Sequence, residues 1–345
     1  MSLAEDIHAV RTSVAVRTDD RVSCVRVGGR DAHDLLDRVS PRPLFARQGQ
    51  MIHTLLLDEA AMPTADLYIG CDEDDFILLA EGMAASNLVD TLKPHASGLD
   101  VTFTDVSATH ALLCLDGPYA WELLARVTVP DVIGLGYMSF FNTGRFTCFR
   151  AGTTGEFGYQ LLVERAEVAS VRAELLEKGA DLDVRAVSPE AHELCQLEAG
   201  FFNVRREVRP GITPIELQLQ WRTSRDREYP GSKALLAHRA TQRIVLATSD
   251  SPIAQDGDVL LDGTRVGTIL HAGPSLTRGG HIAVALLDRT VSHAGLSGFT
   301  VASATLRTLS SPAVNNRSIY VDPQRHTYAT RDQTPFPPLV RPSWS

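Results

Sequence analysis

The chain is 345 residues long, 44% hydrophobic and 22% charged, with a formal net charge of -9. That length predicts two or three domains at about 100–200 residues each, with the composition of an ordinary soluble globular protein. The acidic balance excludes sequence-independent nucleic-acid binding, which needs a basic surface to neutralise phosphate, and no apolar run reaches the about 20 residues of a membrane-spanning helix.

The start, Met1-Ser2-Leu3-Ala4-Glu5-Asp6, lacks the basic and apolar regions of a secretory signal, so a cytoplasmic location is expected. Residues 1–18 read as a short polar lead that leaves a helix open. Val22 to Val27 alternates like a strand and ends in Gly28-Gly29. Asp31 is then expected to cap a helix running to Val39, with Ala32, Leu35, Leu36 and Val39 at helical spacing. Ile52–Leu57 and Asp66–Ile69 read as strands joined by a turn containing Pro63, followed by a strand at Phe76–Ala80 and a helix at Ala84–Leu92. A strand at Ala111–Leu115 leads through Asp116-Gly117-Pro118 into a helix at Tyr119–Arg126. Phe146–Arg150 and Tyr159–Val163 pair across a turn, and helices follow at Val168–Lys178 and Pro189–Gly200. Helices interleaved with antiparallel hairpins give an α+β class.

After about residue 240 the pattern changes. Six short strands between Arg243 and Leu309 are separated by turns such as Asp256-Gly257, Asp262-Gly263 and Gly279-Gly280. Strands without intervening helices predict a small β-barrel or sandwich. Residues 311–345 carry Pro335, Pro337, Pro338 and Pro342, and form a non-periodic tail that wraps the surface or is disordered.

Five cysteines (Cys24, Cys71, Cys114, Cys148 and Cys195) are scattered and never spaced as C-x-x-C. They fit buried thiols in a reducing compartment rather than a zinc site or disulfide framework. Eleven histidines show no metal-ligand spacing, so no metal is expected. Dinucleotide, P-loop, zincin and nucleophile-elbow motifs are missing. Arg205, Arg206 and Arg209 form a cluster that reads as a solvated polar turn. His53 and Asp66 are the best acid–base pair, because imidazole titrates near neutral pH and a hairpin brings their strands together. A histidine packed within a strand is the alternative.

The stretch Arg150-Ala151-Gly152-Thr153-Thr154-Gly155-Glu156-Phe157-Gly158 puts three glycines in seven positions ahead of an alternating strand. Taken alone it is an ordinary Gly-rich hairpin turn. Its neighbours give it more meaning. Val27-Gly28-Gly29-Arg30-Asp31-Ala32, Asp58-Glu59 with Ala65-Asp66-Leu67, Leu115-Asp116-Gly117-Pro118, Arg150 to Leu161, Leu197-Glu198-Ala199-Gly200, Thr213-Pro214-Ile215-Glu216, Tyr229-Pro230-Gly231 and Gly263 to Leu276 occur in one order. That ordered set resembles the folate-dependent aminomethyltransferases, the glycine cleavage T-protein and its relatives.

The resemblance implies three domains around a central tunnel that holds tetrahydrofolate, with a C-terminal β-barrel. It divides the chain into a two-lobed folate-binding region (1–240), a barrel (241–310) and the Pro-rich tail (311–345). It implies a tetrahydrofolate-dependent methyl or aminomethyl transferase, or a demethylase, acting on a small molecule. Asp66 matches the family's key aspartate, which positions the reacting amines and stabilises developing positive charge. His53, which stands where the family usually has an aromatic residue, is read with it as a proton carrier on its own chemistry, and Gln160, Thr153, His192, Tyr68, Glu198 and Phe201 fall among the cofactor-binding positions.

The departures cluster in the ligand site. Gln160 replaces the glutamate that accepts hydrogen bonds from the pterin ring, Thr153 replaces a tyrosine, and His192 stands where the family has an arginine. Glutamine accepts through its carbonyl but brings no charge, and a neutral bond is roughly half as strong as a charge-assisted one. A second function class therefore stays open: a repurposed scaffold acting as a folate-independent enzyme or a ligand-binding protein.

Overall fold

Alternation of apolar residues builds the first sheet. Val14, Val16, Leu113, Leu115, Tyr159, Leu161 and Val163 fall on one face, and that face buries the apolar sides of the helices Ala120–Val127 and Val168–Lys178 through Trp121, Leu124, Val171 and Leu175. Each leucine fully buried in this way contributes about 1.5–3 kcal/mol. The computed structural model, which describes residues 2–73 and 75–341, orders this sheet as Val184–Ala186, Val14–Asp19, His110–Asp116, Gly158–Glu164, Phe146–Phe149 and Phe140–Asn142. All its pairings are antiparallel except the first.

A second, wholly antiparallel sheet runs Met51–Leu57, Pro63–Asp72, Asp75–Glu81, Val22–Gly28 and Thr102–Asp105. The helices Ala32–Val39 and Ala85–Leu92 cover one of its faces through Leu35, Leu36, Val39 and Leu88. The uncovered faces of the two sheets meet in a shared core of Met51, Tyr68, Leu79, Leu112, Cys114, Phe149 and Leu162. The third unit is a closed barrel of six strands from Gln242 to Leu309, filled by Val259, Ile269, Ala283, Phe299 and Leu306. Leu246, Leu270 and Ile282 of the barrel also pack with Leu55, Leu57 and Leu197, which joins it to the other two units. The expected α+β arrangement with a C-terminal barrel is present. No helix among the described residues is long and apolar enough to cross a membrane.

Some local expectations need correction. The lead holds a helix at Leu3–Thr12, begun by a Ser2–Glu5 capping box, and a strand at Val14–Asp19 that lies inside the first sheet. Arg17 and Asp19 obscure that strand in the sequence, because both are buried by pairing with each other. Asp31 stands at the N-cap of the following helix but makes no side-chain cap bond; its carboxylate accepts instead from the amide of Asp100.

The Gly-rich turn serves packing. A Cβ on Gly152 would lie 2.9 Å from the Cα of Gly158, and Gly155 has φ +84° with Asn316 pressed against it. Asn316 belongs to the Pro-rich tail, which is ordered where described: Glu156 accepts from the amides of Arg317 and Ser318 and from the Ser318 hydroxyl. The tail wraps the surface, with Tyr328 edge-on to Tyr119 at 5.2 Å. Pro342 lies outside the described residues.

Candidate functional site

The second sheet sets the central pair by register. His53 stands opposite Tyr68 and Leu55 opposite Asp66, so His53 and Asp66 are diagonal neighbours on one face. The His53 Nε2 is 2.6 Å from Asp66 Oδ1. Arg222, from the short turn Gln220–Arg222, donates Nη1 to the same oxygen at 2.8 Å. The rings of His53 and Tyr68 stack at 4.0 Å and 15°. Asp66 is 5% exposed and Arg222 3% exposed.

The charges in this group follow from burial and pairing. Burial pushes the Asp66 carboxyl up, but His53 and Arg222 together outweigh it and hold it below the usual carboxylate range. Burial pulls His53 below its usual range despite Asp66. Aspartate therefore stays ionised beside a neutral imidazole that donates its Nε2–H and keeps Nδ1 as an acceptor. His53 and Arg222 line a cavity of about 360 Å³ walled by Tyr137, Phe201, Phe202, Glu207, Leu217, Leu219, Trp221, Leu246 and Val284. Asp66 sits between His53 and Arg222, bonded to both.

A second polar group lies on the facing sheet. Asp19 holds Arg17 and Arg21, and Arg21 lies 3.3 Å from His192 Nδ1. His192 Nε2 is 3.2 Å from the Thr153 hydroxyl. Burial first, then Arg17 and Arg21, keep His192 far below its usual range, so it is neutral: Nδ1 accepts from Arg21 and Nε2–H donates to Thr153. Gln160 shares a cross-strand row with Cys114 and Phe149, both in the inter-sheet core, so its side chain faces the second sheet. Its Oε1 is buried without a partner, as is the Tyr68 hydroxyl.

The sequence-derived positions thus divide. His53, Asp66 and Tyr68 form one contact group, Thr153 and His192 another, and Phe201 lines the cavity. Glu198 belongs to the scaffold. It is 0% exposed, and its carboxylate takes Arg11, Ser275 and Thr277. Arg205, Arg206 and Arg209 are ion-paired with Glu81, Glu193 and Asp256 rather than simply solvated.

Sequence reasoning missed Arg222, Tyr137 and Glu207. Arg222 follows Trp221 in an alternating stretch, a pattern that signals a strand rather than a site. Glu207 hides within the arginine cluster, yet it is buried and pushed up to about 8 by desolvation.

Comparison with known proteins agrees with this fold. The model of the GCVT N-terminal domain matches residues 1–227. An aminomethyltransferase of Thermotoga neapolitana is 28% identical over 300 residues, covering 84% of this chain and 83% of that protein. One from Saccharopolyspora erythraea is 26% identical over 306 residues, covering 85% and 83%. The crystal structure of the glycine cleavage system aminomethyltransferase T from Bartonella henselae superposes with a TM-score of 0.82 at 22% identity, covering 91% of this chain and 90% of that one. Through its matched domain, its relatives and its fold, the chain belongs to the aminomethyltransferase family of the glycine cleavage T-protein.

Proposed function

We propose that the protein is a tetrahydrofolate-dependent one-carbon transferase acting on a small molecule. The observation that carries this reading is the ionised, buried Asp66 bonded to His53 and Arg222, which line a largely apolar cavity. The residues present fit a folate. The Gln160 carbonyl and the Tyr68 hydroxyl are buried polar atoms with no partner, and a pterin offers both donors and acceptors to such atoms. When bound, tetrahydrofolate supplies the nitrogen that carries or receives the one-carbon unit.

The chain's own residues have separable tasks. Asp66 fixes the imidazole tautomer and keeps a negative charge one side chain from the cavity. Neutral His53 keeps Nδ1 free to accept a proton. The aromatic and aliphatic part of the wall lowers the local dielectric, which strengthens those electrostatic effects.

The Arg222–Asp66 ion pair favours a second reading, in which the scaffold works without folate, because the carboxylate already has a cationic partner. Calorimetric titration with tetrahydrofolate and 5-methyltetrahydrofolate separates the two. Saturable binding of either supports the transferase, and the lack of any binding heat supports the second reading.

A further inference from the structure

We infer that Arg222 determines the substrate class: the cavity takes a small carboxylate with an apolar body, its anionic end on the free edge of the Arg222 guanidinium. The inference rests on reading this cavity as the substrate site, and it does not need folate to bind.

Arg222 is buried, yet the protein uses little of its donor capacity. Nη1 goes to Asp66, Nε is buried without a partner, and among the described residues Nη2 makes no hydrogen bond. A guanidinium has five N–H donors, and leaving them unmet in a low-dielectric site is costly. Its Cζ lies 4.9 Å from the centroid of the Trp221 ring. The group is therefore charged, fixed and under-bonded at a cavity wall, which is the state a carboxylate completes.

The surrounding charges favour an anion over an ammonium group. Asp66 is matched by Arg222, and nearby Glu81 is matched by Arg205 at 2.9 Å. Glu207 on the same wall keeps its proton at neutral pH, and His53 is neutral. A cation entering here finds no unmatched negative charge. An anion finds Nη2, with Tyr137 on the same wall. The remaining surface, Phe201, Phe202, Leu217, Leu219, Leu246 and Val284, suits an apolar body. A volume of about 360 Å³ limits the ligand to a small one.

Benzoate and benzylamine test this with one ring and opposite charges, by calorimetry on the full chain. The expected result is saturable binding of benzoate and none of benzylamine. Arg222→Gln should weaken benzoate at least tenfold and admit benzylamine against the uncompensated Asp66, whereas Arg222→Lys should keep the preference for benzoate. A purely structural Arg222 would not reverse the charge preference. Tighter binding of benzylamine by the wild type overturns the inference without any variant, and so does unchanged benzoate affinity in a folded Arg222→Gln protein. Folate also carries carboxylates, so benzoate is titrated again with tetrahydrofolate saturating. Displacement would assign Arg222 to the folate and overturn the inference. Benzoate binding in a protein that ignores tetrahydrofolate would sustain the inference while removing the folate reading.

Discussion

Arg222 and Asp66 lie 156 positions apart in the chain and meet at 2.8 Å inside a buried group that also holds His53. One carboxylate oxygen thus serves a cation from the segment before the barrel and an imidazole from the neighbouring strand. Charge, tautomer and cavity wall all depend on that oxygen.

Asp66→Asn removes the charge and keeps the shape. Under the proposed mechanism the Asp66 charge acts on the transition state, so turnover of the native substrate should fall far more than substrate affinity. His53→Gln should lower the rate by about 10²–10⁴, the usual worth of a positioned acid–base group. Steady-state kinetics, with circular dichroism as the check on folding, decide this. A folded Asp66→Asn protein with near wild-type turnover removes Asp66 from the chemistry.

Glu207 gives the stability of the protein a pH dependence with a definite sign. Its folded form holds a proton up to about 8, against an ordinary 4.5, because burial disfavours the charge. Between those values the native state binds more protons than the unfolded chain, so stability falls as pH rises through that window and levels off above it. Glu207→Gln abolishes this contribution. Unfolding free energies from urea titrations should show the variant ahead of the wild type by a few kcal/mol at pH 9, with the gap closing towards pH 5. An equal gap at both pH values would refute the assignment.

Glu198 should matter for folding rather than for ligands. It pairs at 3.0 Å with Arg11, and both side chains are fully buried. Arg11 also donates to the carbonyls of Thr154 and Cys195, so this pair ties the first helix to the Gly-rich turn and the sixth long helix, Pro189–Ala199. Glu198→Ala leaves a buried cation without its nearer carboxylate, a change that costs about 3–5 kcal/mol. Denaturant melts measure it. A loss under about 1 kcal/mol would mean that Glu156, 3.9 Å from Arg11, suffices.

Periodicity exposed much of the architecture, as in Val22–Gly28 and Gly158–Glu164, whereas Met51–Leu57 is buried along its whole length and was legible as an apolar run. The strand Val14–Asp19 was hidden because Arg17 and Asp19 occupy inward positions that polar residues seldom hold. His53 and Asp66 were legible together because one hairpin supplies both. Arg222 was not, because its role depends on a contact between distant segments that no local pattern encodes. The Gly-rich turn was legible as a turn, but only the packing of Gly155 against Asn316 shows why it cannot carry side chains.

The proposed binding of a reduced folate is tested most directly at Gln160, whose buried carbonyl lacks a partner. A charged acceptor should hold a pterin better than this neutral one, by about 1 kcal/mol. Tetrahydrofolate should therefore bind the wild type saturably and bind Gln160→Glu about fivefold more tightly in parallel calorimetric titrations. No binding heat with either protein, or unchanged affinity in a folded Gln160→Glu variant, would contradict the account.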